Sequence, residues 1–581
     1  MGISSGRIID RAGRGALPVG IENFELVAEK YTYVDKTLLA RELVDNEGKA
    51  VLFCRPRRFG KSLAMRMLQC YFEAPVAEAR EPIPDRSALF EGLAITDEGE
   101  RYTREAGAHP VIFLSLGGAH GLTWEEVRIR IASYVADECR RHDYLMDDPE
   151  VAESDKGMLR RLMAREPEGG DLEASLAFLS RLLARHHGAG TVILVDEYDA
   201  PITEGHLRGF REKAVTFFRS WLTDALKATT SLFLGIMTGV QRVSRESIFS
   251  GLNNIVVDTP LDHRFTEAFG FTESEAEALA AHAGLEAKTD EMRDWYDGYR
   301  FGNDRVYNPW SVLSYLENDG VAQPYWGNTS SNAVVHELFL QAEGATAEEL
   351  AALAAGGSVA EPIDLATVFD MIGVDPQAIW SQLYLAGYLT TNDVAEPNDA
   401  DMPRRLEVPN REVRLLYRGE FAERSRLVAG NRARLLALHR ALTSGDAPGA
   451  EGALRRIMLD SASARDLVAE NSYHMLLLGL LYYVYGYMFP KSNDEAGDGF
   501  ADVLLEPERE NAGRLPSLAI ELKWERAGRE PLSDGELASL AQAALDQADG
   551  RSYADPLPPG PVLTWGIGFS GKRVAAVCRE G

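Results

Sequence analysis

Four short apolar runs in the first half of the chain set the narrowest limit on its fold. They read KAVLFCRP (49–56), HPVIFLSLGG (109–118), GTVILVDEYDA (190–200) and TSLFLGIMTGV (230–240). Each is rich in β-branched or aromatic residues and ends in a turn or polar signal. Long helical stretches separate them, such as TWEEVRIRIASYVADECRRH (123–142) and DLEASLAFLSRLLARHH (171–187). Continuous apolar strands alternating with helices imply a parallel sheet buried on both faces. The spacing therefore predicts an α/β domain over residues 1–265.

The remaining sequence changes character twice. Residues 266–425 read as helices with polar connections: FTESEAEALAAHAG opens with a capping-box pattern, and ATAEELAALAAGGS is alanine-rich. PQAIWSQLYLAGYLTT followed by RLEVPNREVRLLY suggests a winged-helix-like unit, with VAEPNDADMPRR as a polar loop inside it. Residues 426–581 begin with helices, then give two strand candidates, GFADVLLEP and LPSLAIELKWE, a helix DGELASLAQAALDQA and a strand VLTWGIGFS. That order describes a second, compact α/β domain.

At 581 residues the chain is too long for one ordinary core. A net charge of −28 argues against a surface coated for nucleic acid, though not against a local basic groove. Four scattered cysteines suggest neither a disulfide framework nor a zinc site, and His186 and His187 read as surface residues. The most apolar run, MLLLGLLYYVYGYMF (475–489), is shorter than the roughly 18–20 residues a bilayer needs and reads as a buried helix. No membrane association and a cytoplasmic location are expected.

Residues 54–62 read CRPRRFGKS. A phosphate loop needs a strand, a tight turn with inward N–H groups, and a lysine at the start of a helix. AVLFC supplies the strand, RPRRFG the turn and KSLAMRMLQCYF the helix. Gly60 permits the turn, Lys61 would reach the β- and γ-phosphates of ATP, and Ser62 would offer its hydroxyl to Mg²⁺. Arg55, Arg57 and Arg58 add charge where polyphosphate would lie, although a general phosphate loop carries glycine where Arg55 stands. The third run delivers Asp196 and Glu197 at its end. The first acid suits Mg²⁺ and the second suits orienting an attacking water. Thr238 ends the next strand, with Gln241 and Arg242 behind it, and is either a γ-phosphate sensor or a turn residue.

Four signatures in succession resemble the bacterial AAA-ATPase-like family. They are VGIENFELVAEKYTYVDKTLLARELV, LFCRPRRFGKSLAMRMLQCYF, ILVDEYDAPI and IMTGVQRVSRESIFSGLNNI. WYDGYRFG (295–302) and VYNPWSVLSYL (306–316) resemble that family's middle region. Its usual loop also reads Arg-Pro-Arg-Arg before the GK[ST]. The resemblance implies an N-terminal ATPase with ATP and Mg²⁺ as cofactors and a C-terminal PD-(D/E)XK nuclease-like domain of the restriction-endonuclease type. Asp35 and Lys36 would either contact adenine or ribose or, the stronger reading, brace the N-terminus.

Metal-dependent phosphodiester cleavage needs acidic oxygens for Mg²⁺ and a cation near the scissile phosphate. Asp502 on one strand, with Glu521 and Lys523 two apart on the next, meets that need, because residues i and i+2 share a strand face. A solvent-facing Glu-Lys pair is the bland alternative. The resemblance adds Glu470 on the preceding helix and Gln547 on the following one. One departure is GDGFAD, which puts Asp498 where the family commonly has basic residues and weighs against tight nucleic-acid binding. The resulting expectation is an ATP-gated nuclease acting on DNA or RNA, suited to defence or mobile-element biology. The rivals are a nucleotide-dependent switch or scaffold with a non-catalytic nuclease-like domain, and an ATPase acting on a protein partner through its middle region.

Overall fold

A computed structural model describes residues 4–13, 15–46, 50–227, 230–242, 254–327, 336, 338–339, 344–365, 378–393, 402–461, 470–496, 499–525, 532–550 and 557–581. The chain divides into two compact units, Met1–Asn328 with Ala360–Val413, and Thr329–Val359 with Arg414–Gly581. Most of the segment read above as a separate middle region falls in the first of these units.

The first unit is built on β1 (Ala50–Cys54), β2 (Val111–Ser115), β3 (Thr191–Asp196), β4 (Leu232–Gly239) and β5 (Ile255–Asp258). Their order is β2-β3-β4-β1-β5, and every neighbouring pair is parallel. The four predicted runs are β1 to β4, and β5 is an addition. All residues of β1, β3 and β4 are buried, as strands covered on both faces must be. The covering helices include α1 (Lys61–Phe72), α2 (Trp124–Arg141), α3 (Asp171–His187) and α4 (Arg211–Leu226). Helices α3 and α4 pack together around fully buried Trp221, whose Nε1–H donates to Ser175 Oγ at 3.0 Å.

The first unit also holds α5 (Glu273–His282), the hairpin β6 (Tyr299–Phe301) with β7 (Asp304–Val306), α6 (Pro309–Glu317), α7 (Ala378–Ala386), and the pair β8 (Thr390–Thr391) with β9 (Arg404–Glu407). The expected capping box is present: Thr272 and Glu275 close it. Of the polar loop at 394–405, residues 394–401 lie outside the described residues, as do 243–253 of the fourth signature.

The second unit holds a sheet of β10 (Lys491–Ala496), β11 (Gly499–Leu505), β12 (Ser517–Trp524), β13 (Val562–Ser570) and β14 (Arg573–Glu580), in that order. Only the β12–β13 pair is parallel, and α9 (Asp534–Gly550) makes its crossover. Gly566 and Gly568 allow that helix to lie directly on β13: a Cβ on Gly566 would come 2.2 Å from the Ala541 carbonyl oxygen. Strands β10 and β14 were not expected. The apolar run near 475 is helical only as α8 (Glu470–Leu481), after which Gly486 turns left-handed and Tyr485 is 86% exposed. Among the described residues no helix is long and apolar enough to cross a membrane. All four cysteines are free thiols. His186 pairs with Asp148, but His187 is half-buried against Tyr144, and burial lowers its imidazole to about 4.

Asp35 and Lys36 are structural. The Asp35 carboxylate accepts from Thr37 N, Thr37 Oγ1 and Ala94 N at 2.6–2.9 Å. Lys36 Nζ donates to both oxygens of Glu275, whose side chain is wholly buried, at 2.7 and 2.8 Å. Removing one partner from such a pair strands a charge in low dielectric. Lys36→Met should therefore lower stability by about 3–5 kcal/mol in urea denaturation. Adding Glu275→Gln should restore part of the loss, and a doubly substituted chain no more stable than Lys36→Met would contradict this account.

Candidate nucleotide site and C-terminal carboxylate cluster

Parallel register aligns the strand ends that matter. Phe53 of β1 stands beside Thr238 of β4 and Asp258 of β5, and Ser115 of β2 stands beside Asp196 of β3. Strand β4 separates β1 from β3, so the loop after β1 and the acids after β3 are about 10 Å apart across one intervening strand. The crevice at these carboxyl ends is where open parallel sheets take ligands.

The turn from β1 into α1 is made by Arg58 and Gly60, with φ 68° and 84°, both left-handed. Gly60 is the residue before the helix, so the first N–H groups of α1, which have no partner within the helix, begin at this turn. Lys61 is buried, and its ammonium donates to the Arg55 and Pro56 carbonyls at 2.9 and 2.8 Å. Burial pulls its pKa below the usual lysine value, while Asp196, Glu197 and Asp199 pull the other way. Ser62 follows on the same first turn and is half-buried.

Two of the arginines depart from expectation. Arg55 is fully buried away from the turn: it is ion-paired with Asp258, and its guanidinium lies over Phe269 and Phe301. Arg58 stacks on Trp310, 3.8 Å from the ring centre, and donates to the Tyr325 carbonyl at 3.0 Å. Both guanidinium groups find aromatic faces and carbonyls that desolvation would otherwise leave unmatched, so neither offers its charge to the turn. Arg57 alone of the three is exposed, and its charge acts on Lys61 and Glu197.

Across the crevice Asp196 is buried and accepts from Thr238 Oγ1. Glu197 has φ 53°, and the tip of its side chain packs against Gly117, where a Cβ would come 1.9 Å from Oε2. Glu197 is an exposed residue overall, but desolvation of its carboxyl, then Asp196, pushes its pKa up. Thr238 thus holds the acid strand directly and also lies 3.4 Å from Glu197 N. Arg242 lies close enough to act electrostatically on Cys54 at the end of β1. Asp199, the third acid of DEYD, was not singled out from sequence. It is buried and accepts from Val240 N and Gln241 N at 2.9 and 3.0 Å, fixing the turn after β4. The close repetition of acids in DEYD was the available signal.

In the second unit Asp502 Oδ2 accepts from Leu522 N at 2.7 Å, tying it to the strand that carries Glu521 and Lys523. Glu521 is buried and accepts from Gln547 Nε2 on α9. Burial raises the Asp502 pKa, and His474 and Lys523 are near enough to oppose that rise. Asp502, Glu521, Lys523 and Gln547 are therefore brought together. His474 on α8 joins them and was missed; it lies four residues after Glu470 on the same helix. The backbone of Glu470 starts α8, while its side chain and Asp498 lie outside the described residues. Among the described residues no three His, Cys, Asp or Glu side chains gather as a metal cage. Magnesium does not require one, since it keeps several waters and takes one or two carboxylates. The hydroxyl of Ser62 with Asp196, and the pair Asp502 and Glu521, are hard-oxygen donors of that kind.

Residues 18–249 match the family model described as Predicted AAA-ATPase, so this span carries an AAA-ATPase-like domain. An uncharacterized protein in the vnfD 5' region of Azotobacter chroococcum mcd 1 is 28% identical over 407 residues, 69% of each chain. Two solved structures from Aeropyrum pernix overlap weakly. They are the ORC2 protein in ADPNP and ADP complexes (9% identity, 71% of this chain and 99% of that one, TM-score 0.25) and the ORC1 protein in complex with DNA (14%, 72% and 97%, TM-score 0.23). Overlap at that level transfers neither fold nor function.

The Thr238–Asp196 bond gives a direct test of the site's architecture. Thr238→Val keeps a β-branched side chain in a buried strand and deletes one hydroxyl donated to a buried carboxylate. The expected cost is about 1–3 kcal/mol by chemical denaturation. An unchanged unfolding midpoint would mean that Asp196 does not depend on this partner.

Proposed function

We propose that the N-terminal unit binds ATP with Mg²⁺ and hydrolyses it, and that the C-terminal unit is a PD-(D/E)XK-type nuclease domain acting on DNA or RNA. The observation that carries the first half is Lys61 at the head of α1 with Asp196 and Glu197 across the same sheet edge. Lys61 would neutralise the β- and γ-phosphates, and the α1 N–H groups would bind their oxygens. Ser62 and Asp196 would hold Mg²⁺, which when bound shields phosphate charge. Glu197, its pKa raised, suits orienting and deprotonating water, while Thr238 and Arg242 would contact the γ-phosphate. Arg57 remains the loop arginine suited to phosphate.

The second half rests on Asp502, Glu521 and Lys523 on adjacent strands, with Gln547 holding Glu521. The two acids would take Mg²⁺, and Lys523 would stabilise charge on the scissile phosphate. A cytoplasmic location fits four free thiols. Bacterial defence or mobile-element biology is the setting such an architecture suits.

Two variants test the halves separately. Lys61→Ala should abolish the rise in melting temperature that ATP and Mg²⁺ give the parent, because stabilisation by a ligand requires binding to the folded state. Equal shifts would remove Lys61 from the site. Lys523→Ala should abolish cleavage of labelled DNA or RNA while keeping the ATP-induced shift. A parent that cuts nothing with any metal or nucleotide would leave a nucleotide-dependent switch or scaffold in place of a nuclease.

A further inference from the structure

The signatures WYDGYRFG and VYNPWSVLSYL are left unexplained by phosphate, metal or water chemistry. Both surround the phosphate loop. Phe59 packs edge-on against Tyr299 at 5.0 Å and near Phe301 at 5.1 Å. Pro56 lies against Gly387, where a Cβ would come 2.8 Å from the proline ring, and Gly387 is left-handed with φ +86°. Two donors from outside the loop converge on one of its atoms. The Arg57 carbonyl oxygen accepts from Asn308 Nδ2 and from Trp326 Nε1, each at 3.4 Å.

Each of those donors is itself fixed. Asn308 is buried and caps α6, its Oδ1 accepting from Ser311 N at 3.2 Å. Trp326 is buried, its backbone N–H donating to Glu412 Oε1 at 2.6 Å, and the other Glu412 oxygen accepts from Ser311 Oγ at 2.7 Å. Arg58, the next residue of the loop, stacks on Trp310 of the same helix. A loop carbonyl that must point outward so that the following N–H groups point inward is thus held by side chains 251 and 269 residues away in sequence.

We infer that Asn308 and Trp326 are positioning residues of the nucleotide site, fixing the Arg57 carbonyl so that the loop presents its N–H groups to phosphate. They do here what the backbone freedom of glycine does at the entrance of a general phosphate loop. The inference rests on the ATP-binding reading above. It separates these residues from ordinary core packing, because Asn308→Ser and Trp326→Phe delete the two N–H donors while leaving a helix cap and an aromatic ring in place.

The test is titration of ATP and Mg²⁺ into the full chain carrying both substitutions, with melting measured without nucleotide. Affinity should fall about tenfold, as expected for two lost hydrogen bonds and a looser loop. The melting temperature without nucleotide should stay close to that of the parent. Trp326→Phe alone should give a smaller loss in the same direction, which keeps the reading intact if the double substitution melts early. A parent that binds and variants that bind equally tightly would overturn the positioning role alone. A parent that binds no ATP would overturn the ATP-binding reading and this inference with it. Affinity and melting temperature falling in step in both variants would make the two residues packing elements and overturn the inference.

Discussion

The buried pair of Arg55 and Asp258 is the constraint on which the nucleotide-site half of the molecule depends. The Arg55 side chain has no exposure, and it donates to the Cys54, Asp258 and Phe265 carbonyls as well as to the Asp258 carboxylate. A guanidinium in that position is tolerable only with its charge matched, as Asp258 matches it, and with its terminal N–H groups used; Nε is left without a hydrogen-bond partner among the described residues. The pair ties the end of β1 to the end of β5 and to residues 265–301. The loop therefore leaves β1 along a single path, and Lys61 begins α1 facing the acids of β3.

That anchoring accounts for a phosphate loop without its first glycine. The strained turn has moved later, to Arg58 and Gly60, the two left-handed residues before α1. A left-handed arginine costs conformational energy unless its surroundings hold it. Trp310 and the Tyr325 carbonyl supply that hold. The loop's shape is thus set by packing from outside, and the segments that supply it are those a sequence reading assigns to a separate middle region.

The parallel sheet was legible because continuous β-branched runs leave few alternatives, and the C-terminal hairpin because Glu521 and Lys523 fall at strand spacing on an otherwise apolar run. What sequence concealed was long-range. Three arginines within four residues look equivalent on paper, yet Arg55 is a core ion pair, Arg58 stacks on an indole and only Arg57 of the three is exposed. The strand β5 is too short and polar-flanked to stand out. The apolar run at 475–489 hides a helix end at Leu481, since periodicity does not register Gly486 turning left-handed. Asp199 and His474 were visible as letters, but only folding brings one to the turn after β4 and the other near Asp502.

A structure of the full chain with Mg²⁺ and a non-hydrolysable ATP analogue tests the central claim most directly. The account predicts the γ-phosphate on Lys61 Nζ, released from the Arg55 and Pro56 carbonyls, with the metal between Ser62 and Asp196 and the Arg57 carbonyl still on Asn308 and Trp326. A nucleotide bound elsewhere, or Lys61 still held by the two loop carbonyls beside a bound triphosphate, would contradict it.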